Sequence, residues 1–186
     1  MLLLGAGRSS RMGRDKVLLP VQGQPALHRL LSTSLSVCGR AVLVLGANHD
    51  TVLPVLRLHP LAQRVTVVRN PAPERGMFSS VLCGLAAIPA GASVFIQPAD
   101  QPLVSPATYA VLLGVLAPQL DAIIPTHGER GGHPVLLAGG FAGQLRQCPP
   151  TSSLRQQMEG RTILRLPVPD AAILHNWNTP QDVLPD

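Results

Sequence analysis

Aromatic side chains are scarce in this chain of 186 residues, where Phe, Tyr and Trp together make up only 3%. Proteins that bind single-stranded nucleic acid stack its bases on aromatic rings, so this scarcity argues against a nucleic-acid partner. No apolar run reaches about 18 residues without Gly, Pro or a charged residue, so we expect no membrane span and no membrane partner.

Cysteines are also few, and Cys38, Cys83 and Cys148 lie far apart, with no pair at metal-ligand or redox spacing. Cys38 and Cys83 fall in apolar helical stretches and are predicted to be buried free thiols. Met1 leads directly into a strand with no basic region before it, so no signal peptide is expected. These features predict a cytoplasmic protein.

Charged residues make up only 13% of the chain and hydrophobic residues 46%, which excludes disorder. The length predicts one domain, residues 1–186, with a substantial core. The net charge of +5 suits an anionic ligand, although a solubilising surface would carry the same charge.

Short apolar runs alternate with longer helical stretches along the chain. Strands are predicted at 1–4, 41–45, 65–69, 93–98, 123–124, 135–138 and 162–168, and helices at 25–38, 49–58, 78–88, 106–117, 152–159 and 180–184. Apolar strands separated by helices predict an α/β fold with a mostly parallel sheet that helices cover on both faces. Ligands in such folds bind at the carboxyl ends of the strands.

The segment from Gly5 to Lys16, which follows the first strand, is the most informative part of the chain. Its three glycines and four cations suit a polyphosphate, because glycine lets backbone N–H groups approach closely and the cations neutralise charge. Five residues separate Gly7 from Gly13, which excludes the Walker loop. Ser10 stands where the dinucleotide fingerprint needs its third glycine.

Three further side chains are candidates for chemistry. Lys16, the one lysine of the chain, ends the glycine segment and is placed to reach a reacting phosphate. Asp100 follows a buried strand and suits Mg²⁺ carried on phosphates, although a turn aspartate capping Gln101 is an equal interpretation. His133 follows flexible glycines near Arg130 and suits an acceptor-binding loop, although a lone histidine is more often structural.

These segments resemble the MobA-like nucleotidyltransferases. The opening fits the family signature Leu-Ala-Ala/Gly-Gly-x-Ser-x-Arg-Met-Gly-x-x-Lys at Leu4, Ala6, Gly7, Ser9, Arg11, Met12, Gly13 and Lys16. Four later motifs agree in order, namely Gly76-Met77-Phe78-Ser79-Ser80, Ala99-Asp100-Gln101-Pro102, Gly132-His133-Pro134-Val135 and Asn176-Trp177-Asn178-Thr179-Pro180. The match extends over nearly the whole chain.

The resemblance implies a Rossmann-like three-layer α/β/α sandwich with a mostly parallel sheet. It also implies Mg²⁺ and the transfer of CMP from CTP to molybdopterin, the organic part of the molybdenum cofactor, with release of pyrophosphate. The Gly-Met-x-x-Ser turn, the Gly-His-Pro entry and Ala6 look like the cytidylyl branch of the family. Further expected partners are a molybdoenzyme or its chaperone.

The resemblance also assigns roles to single residues. Lys16 and Arg11 would contact the triphosphate, Asp100 would hold the metal, and Asn178 would be the second metal ligand. The residues implied in nucleotide binding are Leu4, Gly5, Ala6, Gly7, Arg8, Ser9, Gly13, Ser79 and Ser80. The acceptor would be bound by Arg130, Gly132 and His133.

Two departures from the family pattern leave alternatives open. Gly5 replaces the usual alanine, and Asn176 and Asn178 look like the ending of the guanylyl branch, which makes GTP the alternative nucleotide. Nucleotidyl transfer to a sugar or alditol phosphate is a second alternative. A molybdenum cofactor-binding chaperone without catalysis is the third.

Overall fold

The computed structural model describes residues 1–7 and 15–177. The strands in those ranges are β1 Leu2–Leu4, β2 Pro20–Val21, β3 Gln24–Pro25, β4 Ala41–Leu45, β5 Val65–Arg69, β6 Val94–Pro98, β7 Ala122–His127, β8 Arg130–Gly131, β9 Val135–Leu137 and β10 Ile163–Pro167. The helices are α1 Ala26–Val37, α2 His49–Arg57, α3 Met77–Ala86, α4 Pro106–Gly114, α5 Gly139–Leu145 and α6 Leu154–Gln157. None of these helices is long and apolar enough to cross a membrane.

One large sheet forms the centre of the molecule, with strand order β10-β7-β9-β6-β1-β4-β5 and with β8 paired to the end of β7. β1 pairs in parallel with both β4 and β6, and the pairs β4–β5 and β10–β7 are parallel as well. The prediction of an α/β fold with a mostly parallel sheet is therefore confirmed.

The strand β9 runs against this direction and pairs antiparallel with both β6 and β7. The link between the end of β7 at His127 and the start of β9 at Val135 is too short to hold a crossover helix. The chain must therefore turn back on itself, and β8 forms a short antiparallel pair with the end of β7 on the way.

Helices cover both faces of the sheet and complete the predicted three-layer sandwich. The side chain of Leu3 belongs to the core under α1, α2 and α4, whereas Leu2 and Leu4 belong to the core under α3, α5 and α6. Alternate residues of one buried strand thus serve opposite cores, which explains why the strands are apolar without alternation.

Several local features differ from the sequence predictions. The hairpin of β2 and β3 was not predicted, and Gly23 at its turn has a positive φ of 75°. The helix α5 was not predicted either, since three of its seven residues are glycines with low helix propensity. The thiols of Cys38 and Cys83 are half-buried rather than buried, and this partial burial raises the pKa of both. The predicted helix at 180–184 lies outside the described residues.

Close contact between α3 and the sheet places the first turn of that helix beside the end of β1. A Cβ atom on Gly84 of α3 would lie 2.1 Å from Leu2 Cδ1 and 2.9 Å from Val44 Cγ2. Only glycine lets the helix axis approach β1 and β4 so closely. The position of the residues at the amino end of α3 therefore depends on Gly84.

We predict that Gly84→Ala lowers the free energy of unfolding by about 1–3 kcal/mol, because the added methyl group overpacks the helix–sheet contact. Gly143→Ala, in α5, is the matched control, because a Cβ atom at Gly143 meets nothing within 4 Å. That control should raise the free energy of unfolding by about 0.5–1 kcal/mol through its higher helix propensity. Urea titrations followed by circular dichroism measure both, and equal effects of the two variants would contradict the packing argument.

Candidate active site

A cavity of about 220 Å³ opens at the carboxyl ends of the central strands. Its walls come from the segment after β1, the start of the short 3₁₀ helix Lys16–Leu18, the turn before α3 and the turn after β6. The residues that line it are Leu4, Gly5, Ala6, Gly7, Asp15, Lys16, Val17, Asn48, Pro73, Gly76, Met77, Ser80, Pro98, Ala99 and Asp100. The structure thus brings the described start of the predicted glycine segment, residues 5–7, to one cavity with Lys16, Ser80 and Asp100.

The glycine segment is fixed to the end of β4 by its own peptide groups. The Gly5 N–H donates to Val44 O at 2.8 Å, and Asn48 Nδ2 donates to Gly5 O at 3.0 Å. The Gly46 N–H donates in turn to Asn48 Oδ1 at 3.1 Å. The fold therefore uses the peptide groups of Gly5, and Ala6 and Gly7 are the next residues of the described part of this segment that line the cavity.

Tight packing explains why Gly5 stands where the family pattern has alanine. A Cβ atom on Gly5 would lie 3.2 Å from Leu45 Cδ2 and 3.4 Å from Val44 O. The contact with Leu45 is shorter than an ordinary van der Waals contact, so the bulk of Leu45 favours glycine at this position.

Asp100 and Lys16 form an ion pair at the floor of the cavity, with Lys16 Nζ 3.4 Å from Asp100 Oδ2. The Ala99 N–H donates to Leu4 O at 3.0 Å, which ties the turn after β6 to the end of β1. Buried Val17 anchors the short helix that begins at Lys16. Both charged groups therefore stand on fixed backbone, as the sequence predicts for Lys16.

The second oxygen of Asp100 identifies a place for a cation. Asp100 Oδ1 is buried and has no hydrogen-bond partner among the residues that the structure describes. A buried carboxylate oxygen without a donor is unfavourable unless a cation or a ligand satisfies it. No cluster of three or more His, Cys, Asp or Glu in ranges 1–7 and 15–177 is arranged to hold a metal ion. The single carboxylate of Asp100 suits Mg²⁺, which uses one or two carboxylates and takes its other ligands from phosphates and water.

The cavity wall that contains Gly76 and Ser80 is held by the buried side chain of Asn70, which directly follows β5. Asn70 Nδ2 donates to the hydroxyls of Ser79 and Ser80 at 2.9 Å each, and Asn70 Oδ1 accepts from the Ala72 N–H at 2.9 Å. Gly76, with a φ of 96°, makes the turn into α3 that only glycine adopts without strain.

Ser79 and Ser80, both predicted to bind the nucleotide, have different surroundings. Ser80 lines the cavity. Ser79 does not, and its hydroxyl donates to Gly76 O at 2.7 Å while it accepts from Asn70. The geometry therefore gives Ser79 a role in fixing the turn rather than a place in the cavity wall.

The predicted acceptor residues Arg130, Gly132 and His133 do not line this cavity. The His133 N–H donates to Ile173 O at 3.1 Å, and a Cβ atom on Gly132 would lie 2.3 Å from that same oxygen. Burial lowers the pKa of His133, and the Asp100 carboxylate only partly offsets this effect. Arg130 is exposed on β8. His133 is thus close enough to Asp100 for their charges to interact.

Other predicted site residues fall outside the described part of the chain. They are Arg8, Ser9, Arg11, Gly13 and Asn178.

Sequence reasoning missed the asparagines of the site, Asn48 and Asn70. Asn70 directly follows β5, and Asn48 comes three residues after β4, so both stand at the strand edge where ligands bind. Their place just after a predicted strand is the sequence signal that could have identified both asparagines. Both residues also line a second, adjoining cavity of about 660 Å³, together with Asp15, Arg69 and Glu74.

A three-layer α/β sandwich with a glycine segment, a lysine and a carboxylate at its strand ends defines a nucleotide-binding protein of the Rossmann-like class. The chain belongs to a narrower group, since residues 1–168 match the family of the MobA-like NTP transferase domain. The predicted family is therefore confirmed.

Three curated proteins illustrate the similarity. The molybdenum cofactor cytidylyltransferase of Escherichia coli K12 is 27% identical over 98% of this chain and 92% of its own length. A nicotine blue oxidoreductase of Paenarthrobacter nicotinovorans is 31% identical over 75% of this chain and 71% of its own. A molybdenum cofactor guanylyltransferase of Xanthomonas euvesicatoria is 30% identical over 63% of this chain and 53% of its own.

Solved structures confirm the fold. The crystal structure of Rv0371c from Mycobacterium tuberculosis superposes with a TM-score of 0.81 at 24% identity, over 97% of this chain and 93% of that one. A structure of Rv0371c in complex with manganese superposes with a TM-score of 0.71 at 22% identity, over 90% of this chain and 86% of that one.

We predict that Asn70→Ala lowers the free energy of unfolding by about 1–3 kcal/mol, because the Ala72 N–H loses its acceptor and the buried Ser80 hydroxyl loses its donor. It should also weaken nucleotide binding, because the turn at Gly76 and the first residues of α3 lose the hydrogen bonds that hold them in place. Isothermal titration calorimetry with a nucleoside triphosphate and Mg²⁺ measures the second effect. Ser79→Ala removes only one partner of the amide and should weaken binding less. Unchanged nucleotide affinity in Asn70→Ala would show that this wall is not part of the site.

Proposed function

We propose that this protein is a Mg²⁺-dependent nucleotidyltransferase that moves CMP from CTP to the terminal phosphate of molybdopterin and releases pyrophosphate. The observation that carries the proposal is Asp100, whose buried Oδ1 lacks a hydrogen-bond partner in the described structure, while its Oδ2 pairs with Lys16 Nζ at 3.4 Å. A cation would satisfy the unpaired oxygen, and the phosphates that carry this cation would suit the neighbouring ammonium group.

The comparisons support nucleotidyl transfer to molybdopterin, because molybdenum cofactor transferases of both kinds match nearly the whole chain. The cytidylyltransferase from E. coli and a probable molybdenum cofactor guanylyltransferase from Trichormus variabilis are each 27% identical over 98% of this chain. The choice of CTP over GTP therefore rests on Ala6, the Gly-Met-x-x-Ser turn and the Gly-His-Pro entry, which look like the cytidylyl branch. The manganese complex of a structural neighbour supports a divalent metal.

The proposed reaction is a single in-line displacement at phosphorus. An oxygen of the acceptor phosphate attacks the α-phosphorus of CTP, a new P–O bond forms there, and the bond to the bridging oxygen breaks as pyrophosphate leaves. Such chemistry needs positioning and charge neutralisation more than a strong base.

Residues of this chain supply most of that positioning. The Lys16 ammonium, held near Asp100, would neutralise charge that builds on the leaving pyrophosphate. The backbone of Ala6 and Gly7 would approach the phosphates closely. Arg11 would add a second cation, and Leu4, Gly5, Arg8, Ser9, Gly13 and Ser80 complete the proposed nucleotide site.

Asp100 would hold Mg²⁺ together with oxygens of the triphosphate, and Asn178 is the proposed second protein ligand. When bound, the ion supplies charge neutralisation at the phosphate oxygens.

The acceptor would bind on the side of the cavity where Arg130, Gly132 and His133 lie. Arg130 offers a planar, permanently charged donor for a phosphate. The lowered pKa of His133 keeps its ring neutral near pH 7, so it would bind by hydrogen bonds rather than by charge.

We further propose that residues 1–186 form a single domain, that the protein acts in the cytoplasm, and that a molybdoenzyme or its chaperone receives the product.

The alternative functions differ in the nucleotide, in the acceptor or in whether turnover occurs. A guanylyltransferase would use GTP, a sugar-phosphate enzyme would need another acceptor, and a molybdenum cofactor chaperone would bind without turnover. The relative named as an oxidoreductase raises hydride transfer as well, but Ser10 departs from the dinucleotide fingerprint of nicotinamide enzymes.

We predict that purified protein with Mg²⁺ and molybdopterin releases pyrophosphate from CTP and not from GTP. Asp100→Ala should abolish that release while the circular dichroism spectrum and melting temperature stay close to those of the wild type. Release from GTP alone would replace the cytidylyl proposal with the guanylyl one. Mg²⁺-dependent turnover in Asp100→Ala, or nucleotide binding without turnover in the wild type, would contradict the mechanism.

A second prediction concerns Lys16. Lys16→Ala should lower kcat far more than it raises KM for CTP, because the ammonium acts on charge that appears only as pyrophosphate leaves. Steady-state kinetics at saturating acceptor separate the two constants. A rise in KM at unchanged kcat would make Lys16 a ground-state binding residue.

A further inference from the structure

A chain of buried amides runs beneath the Asp100 turn. Tyr109 of α4 donates its hydroxyl to Gln97 Oε1 at 3.0 Å, and Gln97 Nε2 donates to Gln101 Oε1 at 3.1 Å. Gln97 and Tyr109 have no exposed surface, and Gln101 is 2% exposed. Burying so many polar groups is unfavourable unless each is paired, so the arrangement of this chain is strongly specified.

Gln101 is the member that reaches the end of the described chain. Its Nε2 donates to Ile173 O at 3.2 Å and also to Asn176 Oδ1. The Gln101 side chain therefore makes three hydrogen bonds. Its Oε1 accepts one from Gln97 of β6, and its Nε2 donates two to the segment 173–177.

The same segment contacts the Asp100 turn and the predicted acceptor loop. The Trp177 N–H donates to Asp100 O at 2.9 Å, and Ile173 O accepts from the His133 N–H as well as from Gln101. The indole of Trp177 is 1% exposed and packs against Val21 and Ala26. Segment 173–177 thus bridges Asp100, which is proposed to hold the metal, and His133, which is proposed to bind the acceptor.

We propose that Gln101 is a positioning residue that holds segment 173–177 against the Asp100 turn and thereby sets the affinity of Asp100 for its metal–nucleotide complex. The contacts of the segment stand on their own, whereas the metal part rests on the proposed function. Outer residues that orient metal ligands typically change metal affinity about 10–100-fold when they are substituted.

Gln101→Met is the direct test, because methionine keeps the length and most of the volume of glutamine but makes none of its hydrogen bonds. Trp177 is the only tryptophan of the chain, so its fluorescence reports on segment 173–177 alone. Acrylamide should quench that fluorescence more strongly in Gln101→Met than in the wild type, and the emission should shift to longer wavelength.

The metal part has its own readout. Isothermal titration calorimetry of Mn²⁺ with CTP, without acceptor, should give an affinity about 10-fold lower in Gln101→Met than in the wild type. Excess Mn²⁺ should restore turnover in the variant, because the loss is in binding rather than in the chemical step.

Tyr109→Phe is the matched control, because it breaks the same buried chain at its other end and leaves both bonds from Gln101 to the segment in place. It should lower the melting temperature without changing either readout. Should Gln101→Met not fold, Asn176→Ala removes one of the two acceptors at an exposed position and should change both readouts in the same direction.

Unchanged quenching in Gln101→Met would show that something else holds the segment, which would overturn the proposal. Increased quenching with unchanged Mn²⁺ affinity would overturn its metal part, and so would an equal loss of affinity in Tyr109→Phe. Wild-type protein that binds no Mn²⁺ with any nucleotide would contradict both the proposed function and the metal part. The quenching comparison would still decide whether Gln101 holds the segment.

Discussion

The parallel pairing of β1 with β6 is the constraint on which the candidate site depends. Its register sets Leu4 opposite Pro98, and one further bond, from the Ala99 N–H to Leu4 O, continues the pairing past the strand ends. The glycine segment and Asp100 each follow their strand directly, so this register brings them to one edge. A shift of the pairing would separate the carboxylate from the phosphate-binding backbone.

Side-chain amides hold the loops around that edge. Asn48 joins the glycine segment to the turn after β4, Asn70 joins the end of β5 to α3, and Gln101 joins the turn after β6 to segment 173–177. Amides suit this task because each offers donors and an acceptor without a charge that would compete for phosphate or metal. Lys16 and Asp100, which pair with each other, are the charged groups that we propose for contact with the ligand.

Much of this arrangement could be predicted from the sequence. Apolar strands such as Ala41–Leu45 are buried on both faces, so their composition alone indicates a covered, mostly parallel sheet. Asp100 and the glycine segment could be placed at one edge because the carboxyl ends of parallel strands lie together. The antiparallel direction of β9 could also have been predicted from the sequence, because the link between β7 and β9 is short.

The hydrogen bonds that the side-chain amides make between loops could not be predicted in this way. Asn48 and Gly5 are 43 positions apart, and Gln101 and Asn176 are 75 apart. Local patterns carry no signal for such pairs. Ser79 is a different case, because its partners Asn70 and Gly76 are only nine and three positions away in the sequence. Its place in nucleotide binding stays a prediction from the motif.

The proposal that Asp100 holds a metal on a nucleotide in this cavity can be tested by anomalous scattering from crystals grown with Mn²⁺ and a non-hydrolysable CTP analogue. We expect a manganese peak at Asp100 Oδ1 with the triphosphate beside Ala6, Gly7 and Lys16. A peak away from Asp100, or a nucleotide outside this cavity, would contradict the proposal.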